Sequence, residues 1–285
     1  MDAFLRDVRH AIRNLLRTPG FAFVTILTLA LGIGANTAIF SVVNAVILRP
    51  LGYPEADRLV FISSQFPKMG FDQFWVSPPE FLELQERTHA FAAIGAFATN
   101  QANLTAADRP RRVNNAAVSA ELFKVLGVNP MLGRGFDAAE TLPNGPQVAV
   151  LSYETWQSAF GGRAEIIGSQ VEINGIRRTV VGVMPPHFDV ADNHIELWQP
   201  LVINPANRQN RGSHFLYLIG RLAPGATPAS ARAELDTLLA AWPSTVAQAA
   251  GANFGPHTPD TKNHRIRFDA LQLQIVGGAR TALYN

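Results

Sequence analysis

An uncharged stretch from Thr18 to Leu48 is the feature that most constrains how this chain can fold. Most of its positions are Leu, Ile, Val, Ala or Phe, and no Asp, Glu, Lys or Arg interrupts it. The hydrocarbon core of a bilayer requires about 20 apolar residues in a helix, and a helix satisfies every backbone polar group within one span. The sequence therefore predicts a transmembrane helix over residues 18–48. A buried helix of a water-soluble protein and a cleaved signal peptide are the alternatives. Cleavage is disfavoured because no small-residue cleavage site closes the run before Arg49 and Pro50.

Residues 1–17 form an amphipathic pattern before this span. Apolar side chains share one helical face and arginines occupy much of the other, as in a helix that lies on a membrane surface. The apolar positions are Phe4, Val8, Ile12, Leu15 and Leu16. Because arginine outweighs acid on this side of the span, the positive-inside rule predicts a cytoplasmic N-terminus, with residues 49–285 outside the membrane.

The predicted span carries small and polar residues on one side. Gly34, Thr37, Ser41 and Asn44 follow one another at spacings of three, four and three, which places them on one helical face. Small residues allow helices to approach closely in lipid, and hydroxyl or amide groups can bond between helices. We interpret these four residues as a helix-packing face that contacts other transmembrane helices.

Composition limits the classes of function. The chain has 285 residues, a formal net charge of +2 and no cysteine. This weak basic balance, without a cluster of Lys and Arg, does not indicate a nucleic-acid partner. The absence of cysteine excludes disulfides, thiolate metal sites and cysteine nucleophiles. Residues 49–285 are numerous enough for one large domain or two smaller lobes.

Strand and helix patterns are mixed irregularly after residue 49, which predicts an α+β fold. The clearest local signal is a hairpin turn at Asn174 and Gly175. Ser77 is the predicted N-cap of a helix with prolines in its first turn. The predicted strands cover 59–63, 91–99, 112–119, 148–152, 171–173, 178–183, 197–202, 215–222 and 264–274. The predicted helices cover 81–87, 120–126, 153–160 and 227–239.

Chemistry-bearing residues do not form a recognisable catalytic set. The best candidate for a metal site is the segment with His187, Asp189, Asp192 and His194, but its histidines lack helical i,i+4 spacing, and we expect plain solvated groups. His214, His257 and His264 are expected to be solvent-exposed. No phosphate-binding loop of the G-x-x-x-x-G-K-[ST] type is present. The sequence therefore assigns no catalytic, cofactor or metal-binding residue.

Several motifs together resemble a known family. They are the segments 17–21, 29–41 and 48–51 around the predicted span, Val118 to Phe136, Leu151 to Pro185, and Gly220 to Gly225. In this order they are similar to MacB-like (FtsX-superfamily) ABC transporter permeases, and most similar to the acidobacterial-type permease subgroup.

The resemblance implies a bacterial inner-membrane permease subunit whose periplasmic core domain, residues 49–285, couples ATP-driven motion to export or substrate handling. It implies a dimer, a separate ABC ATPase subunit, and a periplasmic adaptor or substrate protein as partners, with no cofactor. Such permeases have three further spans after this domain, and we expect this chain to be truncated before them. The alternatives are a membrane-anchored sensor or scaffold that works without an ATPase, and, less favoured, an anchored hydrolase.

Overall fold

The chain forms two compact units, residues 1–49 and 50–285. The computed structural model describes residues 6, 10, 13, 17–43, 52–106, 109–191, 193–245 and 263–275. In the first unit, helix α1 (Pro19–Val43) is 25 residues long. Its segment Pro19–Thr37 is long and apolar enough to cross a membrane. Most of the predicted helix 1–17 and the end of the predicted span lie outside the described residues.

The second unit contains strands and short helices in mixed order. The strands are β1 (Leu59–Phe66), β2 (Phe71–Phe74), β3 (Phe91–Ala106), β4 (Arg109–Val118), β5 (Leu132–Gly133), β6 (Val148–Leu151), β7 (Gln170–Ile173), β8 (Ile176–Val183), β9 (Leu197–Pro200), β10 (Tyr217–Leu222) and β11 (Arg265–Ala270). The helices are α2 (Pro78–Arg87), α3 (Leu122–Leu126), α4 (Tyr153–Phe160) and α5 (Pro228–Thr245), followed by a short helix over residues 271–275. The predicted α+β class is confirmed.

The described strands join one sheet in the order β11-β1-β10-β3-β4-β9-β6-β8-β5. The pairs β4–β9 and β6–β8 are parallel, and the others are antiparallel. Strand β7 pairs with both β8 and the far end of β3, where Leu104 faces Ile173. Strands β3, β4, β9, β6, β8 and β7 therefore close into a ring, while β10, β1 and β11 extend the sheet beyond it.

Three apolar clusters occupy the two faces and the ring. Helices α2 and α5 cover one face, where Leu84, Leu235 and Trp242 are buried. Helix α3 covers the other face, and its Phe123 packs edge-to-face against Trp198. A third cluster fills the closed ring around Leu104 and Leu151. The apolar residues Ala231, Leu235, Leu238 and Leu239 lie on one side of α5 and are buried.

Local signals set several element boundaries, most of them as predicted. Ser77 is the N-cap of α2, with prolines at the first helical positions. Ser152, predicted as the last residue of a strand, is instead the N-cap of α4 and accepts a hydrogen bond from the Thr155 N–H. The hairpin turn between β7 and β8 places Asn174 and Gly175 at positive φ, as a type I′ turn requires.

Three of the differences from the sequence prediction have a clear structural reason. Residues 271–275 are helical, whereas the alternating pattern predicted a strand to residue 274. Strand β3 continues seven residues beyond the predicted end at Thr99, because its polar second half is paired with β4 and β7. Strand β2 was missed because it is four residues long and exposed or half-buried, so it pairs with β1 at the edge without an apolar pattern.

A buried carboxylate fixes the loop after β5. Glu140 receives two hydrogen bonds from Arg134, at 2.6 and 3.0 Å, and one from the Asp137 N–H at 2.8 Å. Burial raises the pKa of Glu140, but Arg134 and the Asp137 N–H lower the pKa by more, so the net shift is downward. The ionised form of Glu140 therefore stabilises the folded state.

The contact between β3 and α3 makes a first prediction. A Cβ on Gly95 would lie 2.7 Å from the Leu122 Cα. We expect Gly95→Ala to lower the free energy of unfolding by about 1–3 kcal/mol, because a backbone atom blocks the added methyl group. Gly52→Ala is the control, since no atom lies within 4 Å of its Cβ position. Urea unfolding of the full-length chain measures the free energy of unfolding of both variants. Equal values for Gly95→Ala and Gly52→Ala would contradict the prediction.

Acid stability makes a second prediction. Because the folded-state pKa of Glu140 is lowered, its contribution is present above the unfolded pKa of about 4.3 and is lost as the pH falls below that value. At pH 7, Glu140→Gln should cost about 1–3 kcal/mol, and the variant should lose less stability than the wild type on acidification. The free energy of unfolding, measured at pH 7 and at a pH below about 4.3, tests this. The exposed Glu165→Gln is the control. Parallel acid profiles of wild type and Glu140→Gln would disprove it.

Candidate functional site

Helix α1 presents apolar side chains on all sides. Phe21 is 69 % exposed and Leu31 is 65 % exposed, and none of the described segment Pro19–Thr37 is buried. An exposed apolar surface of this length is unfavourable in water and favourable in a lipid environment. The helix is therefore a candidate membrane anchor.

The predicted helix-packing face lies within or just beyond α1. Gly34 and Thr37 are exposed, and no atom lies within 4 Å of a Cβ built on Gly34. Ser41 belongs to the same helix, and Asn44 lies outside the described residues. The role of these four residues in helix packing stays a prediction.

The segment 187–194 contains solvated histidines, as expected. The His187 side chain is 94 % exposed and that of His194 is 81 % exposed. Asp189 is used within its own loop, where its carboxylate accepts the N–H groups of Val190, His194 and Ile195. His187, Asp189 and His194 line an open cavity of about 420 Å³. Asp192 lies outside the described residues.

Two other histidines were predicted incorrectly. His214 and His264 were expected to be solvent-exposed, but their side chains are 1 % and 3 % exposed and lie beside the buried carboxylate of Glu80. The His214 Nε2 is 3.4 Å from Glu80 Oε2, and the His264 Nδ1 is 3.6 Å from Glu80 Oε1. Among the described residues, this is the one group of three potential metal ligands whose donor atoms lie within 4.8 Å of one another.

Backbone pairing brings these three residues together. Val76 and Leu216 form a bridge that places His214 beside the N-terminus of α2. Strand β11 pairs with β1, with Arg265 facing Gln65, and so places His264 beside Phe66. Glu80 is fixed at the start of α2, where it accepts the Ser77 N–H at 3.0 Å.

The surroundings keep Glu80 ionised. Burial raises the pKa of Glu80, but the charge of His264, the interaction with His214 and the Ser77 N–H lower it to about 2. One turn later, Glu83 forms two hydrogen bonds with the buried Arg211. Burial raises the pKa of Glu83 above its usual value in spite of this pair.

The sequence contained a signal for this cluster. His264 is in phase with Ile266 and Phe268, the buried side of β11, and His214 is in phase with Leu216 and Leu218. Residues two positions apart on a strand lie on the same face of the sheet. Extending the period-2 pattern by one position would have predicted both histidines to be buried.

The comparisons with known proteins agree with this fold. Residues 22–238 match the family described as MacB-like periplasmic core domain. The crystal structure of the periplasmic region of MacB from Actinobacillus actinomycetemcomitans is similar, with a TM-score of 0.53 and 13 % identity over 81 % of this chain and 94 % of that chain. A domain from Porphyromonas gingivalis, described as part of a permease, gives a TM-score of 0.54 and 14 % identity over 76 % and 92 %. No curated protein sequence matches significantly.

The α+β unit is thus the extracytoplasmic domain of an ABC transporter permease. The chain belongs to the MacB-like periplasmic core domain family, because the match covers most of its length. The resemblance inferred from the sequence motifs is confirmed at this level, and the acidobacterial-type subgroup stays a prediction. Together, the family and α1 define a membrane-anchored protein with an extracytoplasmic domain.

Charge placed in α1 tests the membrane anchor. Leu27→Arg together with Leu31→Arg should disfavour insertion by about 5–7 kcal/mol, because an arginine near the centre of a span costs about 2.5–3.5 kcal/mol. We expect most of the variant to leave the membrane pellet in an alkaline wash. The control is Leu142→Arg with Val202→Arg, two exposed apolar residues of the folded unit. Retention of both variants in the pellet would disprove membrane anchoring by α1.

Proposed function

We propose that this chain is a permease subunit that works with an ABC ATPase and with a second permease subunit, and that its domain lies on the periplasmic side of the bacterial inner membrane. The observation that carries the proposal is a family match that begins in α1 and continues through the folded unit to residue 238. One family match thus includes most of the anchor helix and most of the domain, so their succession along the chain is a property of the family.

The domain would couple motion of its anchor to a substrate or adaptor protein outside the membrane. Its paired sheet is suited to this role, because β1, close to the anchor in sequence, is hydrogen-bonded to both β10 and β11. Force applied at the start of β1 is shared by two neighbouring strands. The 285 residues contain no phosphate-binding loop, so ATP hydrolysis is assigned to the ATPase partner.

The predicted span over residues 18–48 would contact other spans through Gly34, Thr37, Ser41 and Asn44. The support is sequence spacing together with the open space at Gly34 and the exposure of Thr37. Thr25 and Thr28 lie about 150° around the same helix, at 100° per residue, and provide a matched pair of threonines on the other side.

Co-purification from native membranes tests the partners. The wild-type chain should retain an ABC ATPase, and Thr37→Leu with Ser41→Leu should lose most of it because the helix-packing face is blocked. Thr25→Leu with Thr28→Leu should retain the ATPase. If the wild type is repeatedly isolated without an ATPase as a solitary monomer, the permease proposal fails and an anchored sensor or scaffold is favoured. If both double variants retain the ATPase, the proposed packing face is wrong.

Orientation requires its own test. A reporter fused after Ala98 should be active outside the cytoplasm, and one fused at Arg9 should be active in the cytoplasm, because arginines dominate the N-terminal side of the span. An alkaline phosphatase and a fluorescent protein that folds only in the cytoplasm are suitable reporters. The opposite pattern would invert the proposed topology.

A further inference from the structure

We propose that Glu80, His214 and His264 form a binding site for a divalent transition-metal ion, with Zn²⁺ the best match. Two imidazoles and one carboxylate are an established donor set for Zn²⁺, with a water molecule in the fourth position. The proposal goes beyond permease function and does not depend on it.

Distances between the donor atoms support a shared ion. The spacings of 3.4 and 3.6 Å from Glu80 to the two imidazoles exceed the usual range of an N–H···O hydrogen bond, about 2.7–3.2 Å. Ligands around tetrahedral Zn²⁺ at about 2.0–2.1 Å are separated by about 3.4 Å. The widest separation in the group, up to 4.8 Å, exceeds that value by about 1.4 Å, which side-chain rotation can close.

Neighbouring groups orient the three ligands. His264 has its Nδ1 toward Glu80 while its Nε2 lies 3.2 Å from the Ser64 hydroxyl, so the second ring nitrogen has a hydrogen-bond partner. Glu80 is held by the Ser77 N–H. Partners of this kind fix the tautomer and the orientation of metal ligands, and their loss typically weakens metal binding 10–100-fold.

Aromatic rings surround the imidazoles. The centroid of the Phe66 ring lies 4.4 Å from the centroid of the His264 ring and 5.4 Å from that of the His214 ring. Phe74 lies 5.8 Å from His214, and Trp242 lies 5.2 Å from His264. Arg211 is paired with Glu83, and its guanidinium lies over the Trp242 ring. An ion here would be shielded from bulk solvent by these rings.

The site would connect three distant parts of the chain. Glu80 lies at the start of α2, His214 just before β10, and His264 just before β11. An ion bound to all three would tie the entry of α2 to the strands that flank β1. An ion that binds the folded state and not the unfolded state raises the unfolding temperature. We therefore infer that the ion has a structural role.

Metal content of the full-length chain in detergent tests the proposal. The chain is purified with a tag that contains no histidine, treated with EDTA, exposed to ZnCl₂ and gel-filtered. We expect about one Zn²⁺ per chain by atomic emission and a higher unfolding temperature than for the EDTA-treated protein. Co²⁺ in place of Zn²⁺ should give the visible absorption of a four-coordinate site.

Variants assign the ion to these residues. Glu80→Gln and His214→Gln should reduce affinity by at least 100-fold, since loss of a ligand exceeds loss of a supporting partner. The double variant His187→Gln with His194→Gln is the matched control, because both side chains are exposed in another loop, and it should bind normally. Ser64→Ala keeps all three ligands and should bind 10–100-fold more weakly, which gives a test that does not depend on folding of the ligand variants.

Three results would overturn the proposal. The first is a wild-type chain that retains no Zn²⁺ after gel filtration. The second is loss of Zn²⁺ from the His187 and His194 control. The third is an unchanged Zn²⁺ affinity both in Ser64→Ala and in either of the ligand variants, Glu80→Gln or His214→Gln, measured as separate proteins. Destabilisation of His264→Gln in a chain that binds no Zn²⁺ would identify the group as a buried ion pair instead.

Discussion

The pairing of β3 along its whole length is the constraint on which the folded unit depends. Its first half pairs with β10, its second half pairs with β4, and its far end also meets β7. Because side chains alternate across a strand, a slip of one residue would exchange the faces of Phe97 and Ala98, which are buried and half-buried. Gly95 adds a second restraint, since helix α3 approaches the strand there too closely for a Cβ.

The two units of the chain satisfy the hydrophobic effect in different ways. The described residues of the second unit bury most of their large apolar side chains in three internal clusters. Helix α1 does not, and its large side chains such as Phe21 and Leu31 remain exposed. Such a helix is compatible with lipid, or with other helices in lipid, because the surrounding acyl chains provide the apolar medium. Anchor and domain are therefore adapted to different solvents.

Among the described residues, buried carboxylates occur at the start of α2 as well as at Glu140. Glu80 and Glu83 lie one turn apart, and each faces cationic or imidazole partners rather than water. An isolated buried carboxylate would be strongly unfavourable, so these partners are required for the helix to dock against the sheet. Removal of one partner leaves the other charge buried, which explains why such clusters constrain the fold more than exposed ion pairs do.

Much of the architecture could be predicted from local sequence. The Asn174–Gly175 turn, the Ser77 and Ser152 caps and the apolar face of α5 are short-range patterns, and each is present in the structure. The limits of β3 and the existence of β2 could not be predicted, because their polar residues are held as strands by pairing with distant segments. Residues 271–275 kept an alternating pattern and yet became helical.

The uncharged helix, the α+β class and the family can be predicted from the chain of residues, because hydropathy and turn chemistry act over a few neighbouring positions. The meeting of Glu80, His214 and His264 in the interior becomes visible only in the folded chain. They are brought together by a bridge at Val76 and by the β1–β11 pairing, and the register of contacts between segments so far apart in the chain is not encoded in any local spacing.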